Sequence, residues 1–300
     1  MHISSLQNGG VKFDAHYSVT SVDPPELIYF MKEHYPDVIW DRHYWPDNPK
    51  YNLPNGSRRQ ITMWNLIASH TIPPTRVSRY CCDKLKESSG KGRVTVTGVR
   101  WAESINRRNT HGLVDVKTKS KKIIEHAIEN NPSAKLNKRG GLIFMDDNKE
   151  SREIVESCFQ KRKVLINPVL DWEESDVWEF LNDVAKVPHC CLYDEGFTRI
   201  GCIGCPLQGR KGMIKDFERW PRYKQLYIRA FDMMIQNHPG MIRVASGEPA
   251  EKRGTAYTQD GSHGRHDGEE LFSVHEIGNH AELFGGGTGE YYFNKWLNFE

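Results

Sequence analysis

Arg93-Val94-Thr95-Val96-Thr97-Gly98-Val99-Arg100 is a β-branched run that stops on a glycine and is followed at once by an arginine. Alternating Val and Thr suit a pleated, half-buried strand. Gly98 closes that strand where backbone amides can approach an anion. In an open α/β sheet, ligands sit at the carboxyl ends of strands. Arg100, Arg107 and Arg108 follow closely and would then supply the counter-charge for an anion, although a lone Thr-Gly before an arginine is by itself a weak signal. The stretch reads as one strand of an α/β sheet.

Downstream, Val164-Leu165-Ile166-Asn167-Pro168-Val169-Leu170 reads as a second buried strand running into a turn. Asp171 and Glu174 then have the spacing of a capping box for a helix through Val177, Trp178 and Leu181. Upstream, Val11 to Val19 alternates apolar and polar positions, as a strand with one buried face does. Asp23-Pro24-Pro25-Glu26 opens a helix whose inward stripe is Leu27, Phe30 and Met31, with Pro36 as its stop. A further helix is expected over Ser57–Ser69, carrying Ile61, Trp64, Ile67 and Ala68.

His111–Lys149 reads as an insertion with one amphipathic helix after Ser120, bearing Ile123, Ile124, Ala127 and Ile128. Ser151–Phe159 reads as a further helix with Cys158 on its apolar side, where a small core hydrophobe belongs. Beyond the second strand, Lys211–Trp220 is helical in character. Pro221 restarts a helix with Tyr223, Tyr227, Ala230 and Met234 at helical spacing. The apolar pattern fades from Asn237, and Gly247–Glu269 reads as a flexible connection. His263, His266, His275 and His280 match no common ligand spacing. The closing Tyr291–Leu297 is aromatic enough to dock back on the body.

A chain of 300 residues can bury a core without disulfide staples. All of its seven cysteines but Cys158 fall in adjacent and CxxC arrangements, the usage of reduced thiols or metal ligands in a cytoplasmic protein. Nothing approaches the roughly 18 uninterrupted apolar residues of a membrane span, so no membrane partner is expected. The net charge of +2, from 41 basic and 39 acidic residues, names no partner. Locally, Arg199, Arg210, Lys211, Lys215, Arg219, Arg222, Lys224 and Arg229 face only Asp216 and Glu218. Such a run is a solvated helix face or, alternatively, a docking face for a nucleotide or nucleic acid.

Gly201-Cys202-Ile203-Gly204-Cys205-Pro206 offers two thiols from one turn, half of a soft-metal site. Cys81-Cys82 is the leading source of the other half, and Cys190-Cys191 the second.

Taken in order, several motifs resemble the phosphoadenosine phosphosulfate reductase family of the adenine nucleotide α-hydrolase (PP-loop) superfamily. They are Val22-Asp23-Pro24-Pro25-Glu26, Arg79-Tyr80-Cys81-Cys82 with Lys84 and Lys86, and Thr97-Gly98-Val99-Arg100 with Glu103-Ser104 and Arg107. Asn167-Pro168 with Asp171-Trp172 and Asp176-Val177-Trp178 follows, then Leu192–Gly196 before the CxxC. The resemblance implies a Rossmann-like parallel sheet flanked by helices, with a helical cysteine-rich C-terminal part. Residues 1–185 would be the α/β domain with its insertion at 111–149, residues 186–236 its cysteine-containing helical segment, and residues 237–300 a connection and aromatic tail.

The resemblance also implies a [4Fe-4S] cluster on Cys81, Cys82, Cys202 and Cys205, with zinc as the alternative and Cys190 as the reserve ligand. It implies an adenine nucleotide ligand, ATP or a sulfonucleotide, held by Gly98, Arg100 and Arg107, with Arg79 and Lys84 close to cluster and ligand. An electron or sulfur donor protein is an expected partner. The sequence departs from the family at two points. The superfamily's glycine-lysine loop should precede Val11, where Ser4–Gly10 stands with neither the lysine nor the preceding strand, so the sheet is expected to lack its first strand. Sulfonucleotide reductases of the family attack sulfate with a cysteine near the C-terminus, and no cysteine follows Cys205. Catalytic residues are therefore unassigned. The readings left open are sulfonucleotide reduction, sulfur transfer of the kind that modifies DNA or tRNA, and a non-catalytic module docking nucleic acid or a protein.

Overall fold

The structure is a computed structural model that describes residues 10, 12–48, 52–87, 93–118, 120–146, 148–149, 151–153, 163–238 and 288–299. In chain order its elements are β1 (His16–Ser18), α1 (Pro25–His34), β2 (Ile39–Asp41), α2 (Met63–Ser69) and α3 (Tyr80–Cys82), the last continued as a π-turn over Asp83–Glu87. There follow β3 (Val94–Val96), α4 (Ile105–Thr110), β4 (Val114–Lys117), α5 (Lys121–Asn130), β5 (Ala134–Leu136), β6 (Leu142–Phe144) and β7 (Lys163–Ile166). The remainder is helical: α6 (Glu174–Glu179), α7 (Gly209–Arg219), α8 (Pro221–Asn237) and α9 (Gly289–Phe299). Strands β1 and β2 pair with each other as a two-stranded sheet.

The described residues group into two compact units. The first draws on Met1–His16, His34–Ile39 and Ser88–Cys190, and the second on Tyr17–Glu33, Trp40–Glu87 and Cys191–Glu300.

A five-stranded sheet in the order β3-β7-β4-β6-β5, flanked by helices, builds the first unit. The β-branched runs at Val94 and Val164 do become strands, and they pair in parallel, Val94 opposite Val164 and Val96 opposite Ile166. The rest of the sheet is antiparallel, β4 with β7 and β6, and β5 with β6. The sheet is thus mixed where the sequence led us to expect a parallel one. The cause is the insertion, whose strands β5 and β6 are joined by the short Asn137–Gly141 turn, and so short a connection cannot reverse into a parallel pair. One face of β4 and β6 buries Val114, Val116, Leu142 and Phe144 beneath Ile123, Ile124 and Ala127 of α5. Ile128, expected on that stripe, is instead 44% exposed.

Helices α2, α7, α8 and α9 pack together in the second unit, which also contains α3 and most of α1. Helix α2 starts at Met63 because Thr62 caps it: the Thr62 hydroxyl accepts from the Asn65 N–H at 3.3 Å and the Asn65 side chain accepts from the Thr62 N–H at 2.9 Å. Tyr227, Phe231, Phe293 and Trp296 are all nearly or fully buried and meet edge-on or stacked, with Phe217 among them. The aromatic C-terminal segment therefore docks on α8, and Trp296 donates its indole N–H to the Pro74 carbonyl at 2.7 Å. The helix expected from Asp23 onward begins at Pro25. The Glu26 carboxylate, in its first turn, accepts from Trp220 Nε1 at 3.1 Å and pairs with Arg219 at 2.9 Å. The helix after Asn167 opens at Glu174, with Asp176 accepting from the Glu173 N–H at 2.9 Å in place of the expected Asp171–Glu174 pair.

Candidate metal centre and anion loop

Two segments far apart in sequence bring thiols together within the second unit. Helix α3 is held by its neighbours: Tyr80 stacks on His70 with ring centroids 3.8 Å apart, its hydroxyl donates to the Ile72 carbonyl at 3.2 Å, and Leu85 is 1% exposed. Cys81 and Cys82 are consequently left half-buried between these anchors.

The CxxC turn is fixed by its backbone. Ile203 donates to the Val22 carbonyl at 2.8 Å and accepts from the Tyr227 hydroxyl at 3.0 Å. The Gly204 N–H is taken by the Asp216 carboxylate at 2.8 Å, and Gln208 bridges Asp216 to the Cys202 carbonyl. Cys202 and Cys205 are half-buried on this turn, and Cys202 Sγ lies 3.7 Å from the Thr20 hydroxyl.

The four thiols act on one another electrostatically. The Cys81 thiol donates to Cys82, and this bond, with Arg79 beside it, pulls Cys82 down to about 5. Arg79 Nη2 is 3.4 Å from Cys82 Sγ. Cys81 is pushed up by giving that bond, by burial and by the other three sulfurs, and Cys205 is pushed up by burial. Lys86 reaches the same place. Burial opposes its charge, yet the Cys202 sulfur beside it and the Cys82 sulfur hold the ammonium above its usual value.

Among the described residues no three His, Cys, Asp or Glu side chains are arranged to hold a metal ion as they stand. A single zinc needs its sulfurs at about 2.3 Å from one point, whereas cluster thiolates each bind a different iron and stand farther apart. Four soft thiols with two cations turned on them suit an anionic iron–sulfur cluster in donor chemistry. Cys190 is buried in the first unit and Cys191 is exposed in the second. Cys158 and the four C-terminal histidines lie outside the described residues, as do Ser4–Gly9 and Gly247–Glu269.

Gly98, Arg100 and Arg107 all belong to the first unit. Gly98 is exposed directly beyond β3, and the loop is tied down where Trp101 N–H donates to the Leu170 carbonyl at 2.7 Å. Ser104 caps α4 by accepting from the Arg107 N–H at 3.2 Å, and Arg107 Nε pairs with Glu103 at 2.8 Å. The Arg100 side chain is only 14% exposed and donates from Nη2 to Glu174 at 2.9 Å. Its Nη1 is buried without a hydrogen-bond partner among the described residues, an arrangement that costs stability. Lys84 lies 3.7 Å from Asp83, with both side chains more than half exposed.

Lys86, Thr20, Tyr17 and Asp23 were not singled out as site residues in the sequence, although Tyr17 and Asp23 interact with each other and with the Cys202 environment. The signal available for Lys86 was its position four residues after Cys82, on the same helical face. The basic run after the CxxC is partly spent internally. Lys215 lies over the Phe197 ring at 4.6 Å, Lys224 over Phe293 at 5.6 Å, and Arg219 pairs with Glu195 and Glu26.

Residues 49–208, just over half of the chain, match the family model of the phosphoadenosine phosphosulfate reductase domain, a span that contains all four half-buried thiols and the Arg100 loop. An uncharacterized protein of Methanocaldococcus jannaschii is 40% identical over 81 residues, covering 26% of this chain and 17% of that protein. An adenosine 5′-phosphosulfate reductase of Neisseria meningitidis is 39% identical over 54 residues, 18% of this chain and 22% of the enzyme. Another of Oceanobacillus iheyensis is 32% identical over 59 residues, 20% of this chain and 24% of the enzyme. The chain thus spans less than a quarter of the length of each of these relatives. Among the described residues no helix is long and apolar enough to cross a membrane. With the Rossmann-like scaffold of its first unit and the matched span across both motif sets, the chain belongs to the phosphoadenosine phosphosulfate reductase domain family.

Proposed function

We propose that this chain is a sulfonucleotide-processing iron–sulfur protein: Cys81, Cys82, Cys202 and Cys205 hold a [4Fe-4S] cluster, and the Thr97–Arg100 loop takes the phosphate or sulfate of an adenine nucleotide. The observation that carries the nucleotide half is the orphaned Nη1 of Arg100, a buried guanidinium nitrogen at the carboxyl end of a parallel strand. The thiol half rests on four half-buried cysteines gathered from two remote segments. When bound, a cluster of this class supplies thiolate-ligated iron whose potential is set by nearby charge and hydrogen bonds. Around it this chain's own residues have separate tasks. Arg79 and Lys86 offset the negative thiolates, and Asp216 fixes the Gly204 turn that presents Cys202 and Cys205.

Two of the relatives named above are adenosine 5′-phosphosulfate reductases, and adenosine 5′-phosphosulfate is accordingly the ligand to try first. Calorimetry of the purified protein with adenosine 5′-phosphosulfate and with ATP tests the reading. Binding is expected, and Arg100→Ala should weaken it about tenfold to a hundredfold, the worth of a charged hydrogen bond. Equal affinity in Arg100→Ala, or no binding of either nucleotide, contradicts it.

A further inference from the structure

Beside the Arg100 loop, the first unit contains a hydrogen-bonded line of polar side chains that the reading above leaves without a task. Asp115 is 2% exposed on β4, with the apolar Leu165 and Ile143 as its cross-strand partners. A carboxylate in such surroundings is costly unless every lone pair is used. Here it is well served: Oδ1 accepts from the Gly112 N–H at 2.9 Å, and Oδ2 from His111 Nδ1 at 2.5 Å and from Asn167 Nδ2 at 3.3 Å.

The line is tied to the anion loop at two points. Asn167, fully buried, donates to the Gly112 carbonyl at 2.8 Å and accepts from the hydroxyl of Thr97, the first residue of the loop. Trp101, next to Arg100, donates Nε1 to the His111 carbonyl at 3.0 Å. The segment is also closed tightly, since a Cβ on Gly112 would stand 2.5 Å from the Phe144 carbonyl oxygen. The His111 side chain is 20% exposed, and with Nδ1 committed to Asp115 its Nε2 has no protein partner among the described residues. A buried carboxylate that fixes one imidazole nitrogen and leaves the other available is the arrangement of a proton-accepting histidine.

We propose that His111 is a catalytic residue of the nucleotide reaction, with Asp115 and Asn167 as positioning residues that fix its tautomer and tie it to the Thr97–Arg100 loop. This rests on the reading of that loop as the nucleotide site. An acceptor thiol gives its proton to His111 Nε2 as its sulfur attacks the sulfur of adenosine 5′-phosphosulfate. A sulfur–sulfur bond forms, the bond from sulfur to the phosphate oxygen breaks, and AMP leaves with the bonding pair. The thiol becomes an S-sulfonate, and no external reductant enters this step.

The test is AMP release from adenosine 5′-phosphosulfate by the full chain with dithiothreitol as acceptor thiol. His111→Gln and Asp115→Asn should lower kcat by about a hundredfold to ten-thousandfold with little change in KM, the usual worth of a proton-transferring side chain. Added imidazole should restore part of the rate to His111→Ala, which a purely structural histidine would not allow. Arg100→Ala should instead raise KM. If the wild type binds adenosine 5′-phosphosulfate in calorimetry but releases no AMP, this proposal is overturned and the nucleotide reading stands; if it does not bind, both fall. If the wild type turns over and His111→Gln keeps its kcat, or imidazole restores nothing to His111→Ala, the proposal alone is overturned. Should Asp115→Asn fail to fold, the partly exposed His111 and its imidazole rescue still decide.

Discussion

Gly204 shows how one backbone position governs the thiol turn. Its φ is +70°, and a Cβ there would stand 2.5 Å from Phe217 Cζ. Gly201, by contrast, has open space around it, so of the two glycines that frame the first cysteine's turn only the inner one is required by geometry. Gly204→Ala should therefore destabilise the protein by about 1–3 kcal/mol in urea unfolding, with Gly201→Ala near neutral. Asp216, 4% exposed, makes a finer case: burial pushes its carboxyl up while the Gly204 N–H and Gln208 hold it down. A raised folded-state value means that the charged form costs stability above it and that this cost vanishes as pH falls. Asp216→Asn keeps an acceptor for Gly204 and should match or exceed wild-type stability at pH 7, with any advantage shrinking as the pH is lowered through the acid range. Asp216→Ala leaves the Gly204 N–H unpaired and should cost about 1–3 kcal/mol. Equal unfolding midpoints for the Asn and Ala variants would contradict this account. The cysteines and Arg100 stood out as candidates because residue type alone suggests their chemistry. Lys86 stood out only as part of a motif and His111 not at all, because what a lysine or a histidine faces is decided by the fold around it.

At the level of elements, legibility followed composition and period. Strands β3 and β7 are only three and four residues long. Val94-Thr95-Val96-Thr97 is wholly β-branched, however, and Val164-Leu165-Ile166 is an apolar run ending on Asn167-Pro168, so both declare themselves. Helix α8 shows its stripe through Tyr227, Ala230 and Met234. The insertion hid three strands of similar length, because Val114–Lys117 and Ala134–Leu136 mix charged with apolar residues and Leu142–Phe144 follows directly on a glycine turn. Such short segments give no period to read, and here composition did not replace it. They nevertheless supply most of the sheet, and the core they build with α5 should be sensitive to truncation. Phe144→Ala is expected to cost about 3–5 kcal/mol and Ile128→Ala no more than about 0.5 kcal/mol, measured as paired urea curves. A neutral Phe144→Ala would mean that the inserted strands are not part of the stabilising core. Helix α9 makes the complementary point. Gly289 opens it where a Cβ would meet the Ile228 carbonyl oxygen at 2.3 Å, a close approach to α8 invisible to any aromatic count.

Across the whole molecule, the chemistry is divided between two units, thiols in one and the arginine loop with the His111 line in the other. The order of short motifs was enough to read the family, because each motif fixes a local geometry that the scaffold needs: a strand ending on Gly98, a turn around Gly204, a capped helix after Asn167. Net charge was uninformative, and the basic run after Cys205 proved to be partly occupied with Phe197, Phe293, Glu195 and Glu26. The expected parallel sheet turned out mixed because chain connectivity, rather than composition, decides strand direction. The proposed iron–sulfur cluster on Cys81, Cys82, Cys202 and Cys205 is decided by iron, acid-labile sulfide and zinc analysis of protein purified without oxygen, alongside Cys82→Ser and Cys202→Ser. About four iron and four sulfide per chain are expected, as a [4Fe-4S] centre requires, with both reduced sharply in either variant. Stoichiometric zinc without sulfide, or iron content indifferent to both substitutions, would contradict it.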